Sequence, residues 1–455
     1  MPIDTWVMRP SWSFLDEFSS AAFLDKMEDV GARHLAIGAA FPVEPDARHY
    51  EGAIKGCAAP PASLAYKTAI DSFLAAARDR NIHIYSYGTN PHMSLSEEVY
   101  GQMHTKRLLC ADHSVAGVDY NWGACANDPE FLSFYLGRIR DVQQTFPQVE
   151  GFLNDGPEFG YEIENGFMHD LLSVFGCFGS CCENKARELG YNFADLKQAA
   201  IALMQFFHAL DTNAIEQVLE HVGAPEEALA AAAGEERIAA WFRFKQDSIA
   251  SYIQQLCQGV KEADPRLSMG IGARLPAFTW LTGYDFSRLA QDADFLLPKI
   301  YLWMGGFDGT YGTVYRWVKT LTSWNPHLEE ALVFRFVYRL FGFALPQVGS
   351  LQDMLRYLEP RVVDTIELTY LGQPFPRAFF TEVVGDQVRQ MIAQVGDAGR
   401  VRPWLDSHHG GRMLTPNELD MTLSAAQGAG LQTYLYYCSL EPGNWEVATK
   451  HAEKR

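Results

Sequence analysis

Short apolar runs recur along the chain, separated by longer stretches in which apolar positions return every three or four residues. The short runs predict buried strands at Thr5–Met8, His34–Ala39, Ile82–Tyr87, Val149–Leu153, Leu267–Ile271, Phe295–Tyr301, Val401–Leu405 and Thr433–Tyr437. Between them the spacing predicts helices at Ala21–Val30, Ser63–Arg80, Asp128–Thr145, Arg237–Ala263, Asp285–Gln291, Thr313–Ser323 and Pro416–Ala429. In the long fourth crossover, Ile249, Ile253, Leu256 and Val260 fall on one helical face, which is therefore expected to be buried.

Local punctuation agrees with this pattern. Asp128-Pro129 reads as an N-cap followed by proline at the first helical position, and Thr415-Pro416 with Glu418 repeats the signal. Strand and helix alternating eight times predict an α/β fold, a (β/α)8 TIM barrel of parallel strands. Three segments exceed ordinary connections of about 2–6 residues: 88–127 after strand three, 156–236 after strand four and 325–400 before strand seven. The expectation is one catalytic domain, 1–455, with these insertions packed as a cap over the C-terminal face.

Composition narrows the function. The chain is 48% hydrophobic and carries 37 Lys and Arg against 56 Asp and Glu, a formal net charge of -19. That field repels phosphate backbones and anionic membrane surfaces, so neither nucleic acid nor a membrane is an expected partner. The opening "MPIDTWVMRPSW" shows no signal-like segment, and no apolar run reaches a membrane span; a soluble, cytoplasmic protein is expected. The eight cysteines are too sparse in 455 residues for a disulfide scaffold, so reduced thiols are expected. Neither a glycine-rich phosphate loop nor a G-x-S-x-G elbow is present, which weakens nucleotide and serine-hydrolase readings.

In a barrel of this kind the C-terminal strand ends share one mouth. Read in order they offer Arg9 and Trp12, Phe41 and Glu44, Tyr87 with Asn90 and His92, then Asn154, Asp155 and Glu158. Arg274 follows, then Lys299, Tyr301 and Trp303, then Asp406, His408 and His409, and last Tyr436, Tyr437 and Glu441. Carboxylates among aromatics, with Arg, His and Asn between, suit a carbohydrate: rings stack on the C–H face of a sugar and polar groups hold its hydroxyls. Glycosidic cleavage needs two carboxyl groups, one to protonate the leaving oxygen and one to act as nucleophile or to activate water. Asp155 after strand four and Asp406 after strand seven are the expected pair, with Glu158 the substitute for either. Arg9, Tyr87, Asn154, Arg274, Lys299, Tyr301, His408 and Tyr436 would hold hydroxyls, and Trp12 and Trp303 would stack.

Plainer roles stand beside these. A carboxylate just past a strand often serves as a cap, and "NDGP" at 154–157 is a good turn sequence. Lys299 suits a hydrogen bond to substrate or carboxylate better than a Schiff base. His408-His409 invites a metal, yet neighbours on an extended chain point opposite ways. "GCFGSCC" could offer Cys177, Cys181 and Cys182 to zinc, but without an evident fourth ligand structural packing is the simpler reading. No metal and no organic cofactor is therefore expected.

The segments "GARHLAIGAAF", "CANDPEFLSFYLGRIRDVQQTFPQVEGFLNDGPEFGYE", "LLSVFGCFGSCCENKARELG" and "LQTYLYYCSLEPGNWE" resemble the uncharacterised TIM-barrel proteins grouped as glycoside-hydrolase-like. The resemblance covers most of the barrel and implies sugar chemistry at Asp155 and Glu158. The chain departs from the group in having "CFGSCC" where a "CFCxxC"-like segment stands, and strand four lacks the "Asn-Glu" ending of the large retaining clan. The expected function is a glycoside hydrolase acting on a small glycoside or oligosaccharide. The alternatives are a metal-dependent sugar isomerase or epimerase, and a non-catalytic carbohydrate-binding barrel.

Overall fold

The computed structural model describes the chain outside residues 1–2, 10, 39–40, 44–45, 50–65, 89–124, 157, 160–170, 301–308, 363–365, 371–372, 407–413, 438–441 and 453–455. Eight parallel strands close a barrel: β1 (Asp4–Arg9), β2 (His34–Ile37), β3 (His83–Gly88), β4 (Val149–Asp155), β5 (Ser268–Ala273), β6 (Phe295–Ile300), β9 (Trp404–Asp406) and β10 (Thr433–Tyr437). β6 pairs with β9 and β10 returns to β1, so the expected (β/α)8 fold is observed.

All eight strands fall on the expected apolar runs, with ends displaced by a few residues. The seventh barrel strand starts at Trp404 rather than Val401 because Pro403 has no N–H to give the ladder; Val401 makes only an isolated bridge to Leu296. The crossover helix Arg237–Ala263 has the expected bounds and buries Ile249, Ile253, Leu256 and Val260. Both capping signals operate: Asp128 accepts from the Glu130 N–H, and Thr415 and Glu418 form a reciprocal capping box.

The second insertion contains helices Ser180–Glu188, Phe193–His208, Thr212–Glu220 and Pro225–Ala233. The third holds the helix Glu330–Phe341, which ends on Gly342 at φ 70°, and an antiparallel hairpin of β7 (Leu358–Val362) with β8 (Ile366–Tyr370). The two insertions meet where Glu330–Phe341 packs on Thr212–Glu220. Among the described residues no helix is long and apolar enough to cross a membrane.

Two apolar layers result from strand alternation. Trp6, Met8, Ala36, Tyr85, Tyr87, Leu153, Phe295, Leu297, Trp404 and Leu435 fill the barrel, and a larger cluster lies between strands and helices. β5 contributes glycines to the interior. A Cβ on Gly270 would press on the Phe295 ring and come within 2.9 Å of Leu153. Gly270→Ala is expected to cost about 1–3 kcal/mol through overpacking, measured as a lower urea midpoint with an unchanged m-value.

Candidate active site

The same alternation selects which strand-end residues face inward. In β4 Leu153 belongs to the barrel interior, so Asp155, two residues on, faces the mouth. Lys299 stands two beyond Leu297 in β6, and Arg274 follows the inward glycines 270 and 272 of β5. Tyr87 ends the inward row of β3, and Trp404 supplies the inward position of β9.

These residues form a connected polar layer on top of the apolar one. The Tyr87 hydroxyl donates to Asp155 Oδ2 at 2.8 Å. Lys299 Nζ lies 2.9 Å from Asp155 Oδ1, and both side chains are almost wholly buried. Gly272 is the register partner of Asp155, and a Cβ there would come within 3.0 Å of Asp155 Oδ1. Trp404 walls the group: its ring meets Tyr87 edge to face with centroids 5.0 Å apart, and Lys299 Nζ lies 5.7 Å from its centre.

A second ion pair adjoins the first. Arg274 Nε donates to Glu158 Oε2 at 2.6 Å and its Nη2 to Oε1, a bidentate fork. Arg274 is 1% exposed and Glu158 11%. Burial lowers the Lys299 pKa first and the Arg274 charge lowers it further, while Asp155 and Glu158 partly offset both. Tyr284, fully enclosed, is pushed well up by burial and then by the Glu158 charge.

Four of the expected substrate contacts face the other way. Arg9 lies on the outer face of β1, 3.8 Å from Glu17 and over the Phe14 ring. Trp12 is buried among Phe14, Phe41 and Phe73 in the layer between barrel and helices. Tyr436 is enclosed in that layer, with centroids 6.4 Å from Tyr434. Asn154 also faces outward; its Nδ2 donates to the Gly156 carbonyl at 2.8 Å, and Gly156 turns at φ 95°. The turn-forming and mouth-facing readings of "NDGP" are thus divided between neighbours, Asn154 serving the turn and Asp155 the mouth. Strand parity decides Arg9, Asn154 and Tyr436, because a shift of one moves a side chain across the sheet, whereas Trp12 lies in the turn after β1.

Tyr301, Trp303 and His408 lie outside the described residues, as do Glu44, Asn90, His92, His409 and Glu441. The backbone of Asp406 ends β9 opposite Tyr437, and the side chains of both lie outside the described residues. Two members of the site were not among the expected residues. Trp404 carried a signal, standing two positions before Asp406; the space left by Gly272 carried none.

No protein-family model matches the chain, and no curated protein matches it in sequence. Solved structures do match. The PgaB (BpsB) glycoside hydrolase domain from Bordetella bronchiseptica shares 9% identity at a TM-score of 0.51, with 100% of both chains covered. A β-galactosidase from the Antarctic haloarchaeon Halorubrum lacusprofundi gives 0.52 at 12% identity over 99% of this chain. One from the psychrophilic Marinomonas ef1 gives 0.52 at 10% over 98%. The chain spans 57% and 58% of those two β-galactosidases. At these identities the likeness is one of fold alone.

Lys299→Met removes the cation that lies 2.9 Å from buried Asp155 Oδ1. A loss of about 3–5 kcal/mol is expected, read as a drop in the urea midpoint at neutral pH. Tyr87→Phe, which removes one neutral donor to that charged carboxylate, should cost less, about 1.5–3 kcal/mol.

Proposed function

We propose that the protein is a glycoside hydrolase that cleaves a small glycoside or oligosaccharide with Asp155 and Asp406. The observation that carries this reading is the buried carboxylate of Asp155 at the barrel mouth, with Lys299 on one oxygen and Tyr87 on the other. Donors on both oxygens favour the ionised form, which suits a nucleophile or a base. Asp155 attacks the anomeric carbon or takes a proton from water; Asp406 protonates the leaving oxygen and, in a retaining reaction, later activates water. Asp406 ends β9, two residues beyond Trp404.

Glu158 takes a supporting part, since its two oxygens are engaged by Arg274. Trp404 offers an aromatic wall beside Asp155, and Tyr301, Trp303 and His408 remain proposed substrate contacts. The insertions 88–127, 156–236 and 325–400 are proposed as the cap that makes the mouth a pocket. The lysine contact on Asp155 favours a hydrolase over the metal-dependent isomerase, whose carboxylates would face an ion instead of a lysine.

The test is turnover on a panel of aryl glycosides and short oligosaccharides. Asp155→Asn and Asp406→Asn should each lower kcat by roughly 10²–10⁴-fold while sugar binding persists. Near-parental turnover in either variant would remove that residue from the pair. Sugar binding without turnover in the parent would instead establish the non-catalytic barrel.

A pH prediction follows from Lys299. Its folded pKa lies below the ordinary 10.5, so it loses its proton, and Asp155 its counter-charge, before a free lysine would. The alkaline limb of kcat/KM is expected below pH 10.5. Lys299→Arg, which stays charged, should move that limb upward.

A further inference from the structure

Three buried thiols from two separate stretches meet in this fold, and none of them belongs to the Asp155 group. Cys125 precedes the helix Pro129–Thr145, Cys177 follows the short helix Leu171–Phe175, and Cys182 lies in the first turn of Ser180–Glu188. Their Sγ atoms all fall within 4.8 Å of one another, and Cys125 and Cys182 approach to 3.3 Å. They are 2%, 1% and 0% exposed. The sequence pointed to Cys177, Cys181 and Cys182; the structure leaves Cys181 out of this group and brings in Cys125.

The spacing is informative. A disulfide needs sulfurs about 2.05 Å apart, so Cys125 and Cys182 are reduced. Three thiolates around one ion at about 2.3 Å would stand about 3.8 Å apart, inside the range these atoms already span. A polar group completes the cluster. Asn127 Nδ2 lies 3.4 Å from Cys182 Sγ and 3.3 Å from Ser248 Oγ, while Asn127 Oδ1 is buried with no hydrogen-bond partner. An orphaned buried carbonyl oxygen costs about 1–3 kcal/mol. Turning the amide over presents that oxygen to the thiols and lets Ser248 donate to it.

We propose that Cys125, Cys177 and Cys182 bind a thiophilic closed-shell cation, with the Asn127 side-chain oxygen as a fourth ligand where the ion requires one. Soft thiolates select Zn²⁺ and Cu⁺. Zinc takes four ligands and uses Asn127; copper(I) is served by the three sulfurs. Binding displaces the thiol protons, so Zn²⁺ with three thiols gives a tris-thiolate of charge −1 and three protons, and Cu⁺ gives one of charge −2 and three protons.

The ion joins parts that no continuous element connects. Cys125 ends the insertion after β3, and Cys177 and Cys182 belong to the insertion after β4. Asn127 leads through Ser248 to the helix Arg237–Ala263, on which Tyr252, one turn further, lies against Asn154 of β4. Both insertions are thereby clamped to the helix behind the strand that carries Asp155.

The full chain, purified with reductant and stripped of metal, is titrated separately with Zn²⁺, Cu⁺ and Co²⁺. One ion per chain is expected, with a sulfur-to-cobalt charge-transfer band and a higher Tm on loading. Cys125→Ser and Cys182→Ser should abolish the band, and Cys257→Ser, outside the group, should retain it. Asn127→Ala, which removes the fourth ligand, should weaken zinc binding and leave copper binding unchanged. Parent protein that takes up no ion and shows no cobalt band overturns the proposal, as does a Cys125–Cys182 disulfide forming without metal uptake. The parent titration decides the matter even if a variant fails to fold.

Discussion

The site depends on pairing one buried charge. Asp155 is 5% exposed, and an ionised carboxylate so far from water is tolerated only with close partners. Its cation comes from β6, which is not its neighbour; β5 lies between them. Lys299 can reach Asp155 only if β5 places no side chain at that level, and Gly272, opposite Asp155, meets this condition. Tyr87 must reach the same level from β3, where its register partner is Leu153. Closure of the barrel, the register of four strands and a glycine are thus constrained together by one ion pair.

Much of this was legible in the sequence, because barrel strands are apolar on both faces and stand out as unbroken runs. The carboxylate after "VEGFL", the lysine in "LLPKI" and the arginine after "MGIGA" could be assigned to one mouth as soon as the strands were counted. What could not be read was parity at strands buried on both sides. Arg9, Asn154 and Tyr436 stand at strand ends as Asp155 does, yet they face the helices. An unbroken apolar run carries no alternation to show which residues face inward. The hairpin of β7 and β8 escaped for a related reason, being a short pair inside a long insertion without a tight-turn signal.

Cys125 was hidden by distance along the chain. It is separated from Cys182 by 57 positions, and only the packing of the two insertions brings their sulfurs together. Spacing rules find metal ligands when they lie on one short stretch; they do not find ligands contributed by different connections. The same applies to Lys245, in the middle of the helix Arg237–Ala263, whose ammonium caps the carbonyls of Val174 and Leu281 beside the Trp241 ring. In sequence it reads as a solvated lysine; in the fold it is fully enclosed, and burial lowers its pKa well below the usual value.

The two ion pairs at the mouth also act on each other. Arg274 disfavours the charged form of Lys299, and Glu158, held by the Arg274 fork, partly offsets that effect. Glu158 is not part of a strand; it stands on the connection that leaves β4 through the turn made by Asn154 and Gly156. Moving that connection would separate Glu158 from Arg274, strengthen the repulsion on Lys299 and weaken the support for ionised Asp155. The charge state of the inward carboxylate is therefore coupled to the placement of the loop that follows it. Strand register alone fixes where Asp155 stands, but the long connection after β4 governs how firmly its negative charge is held.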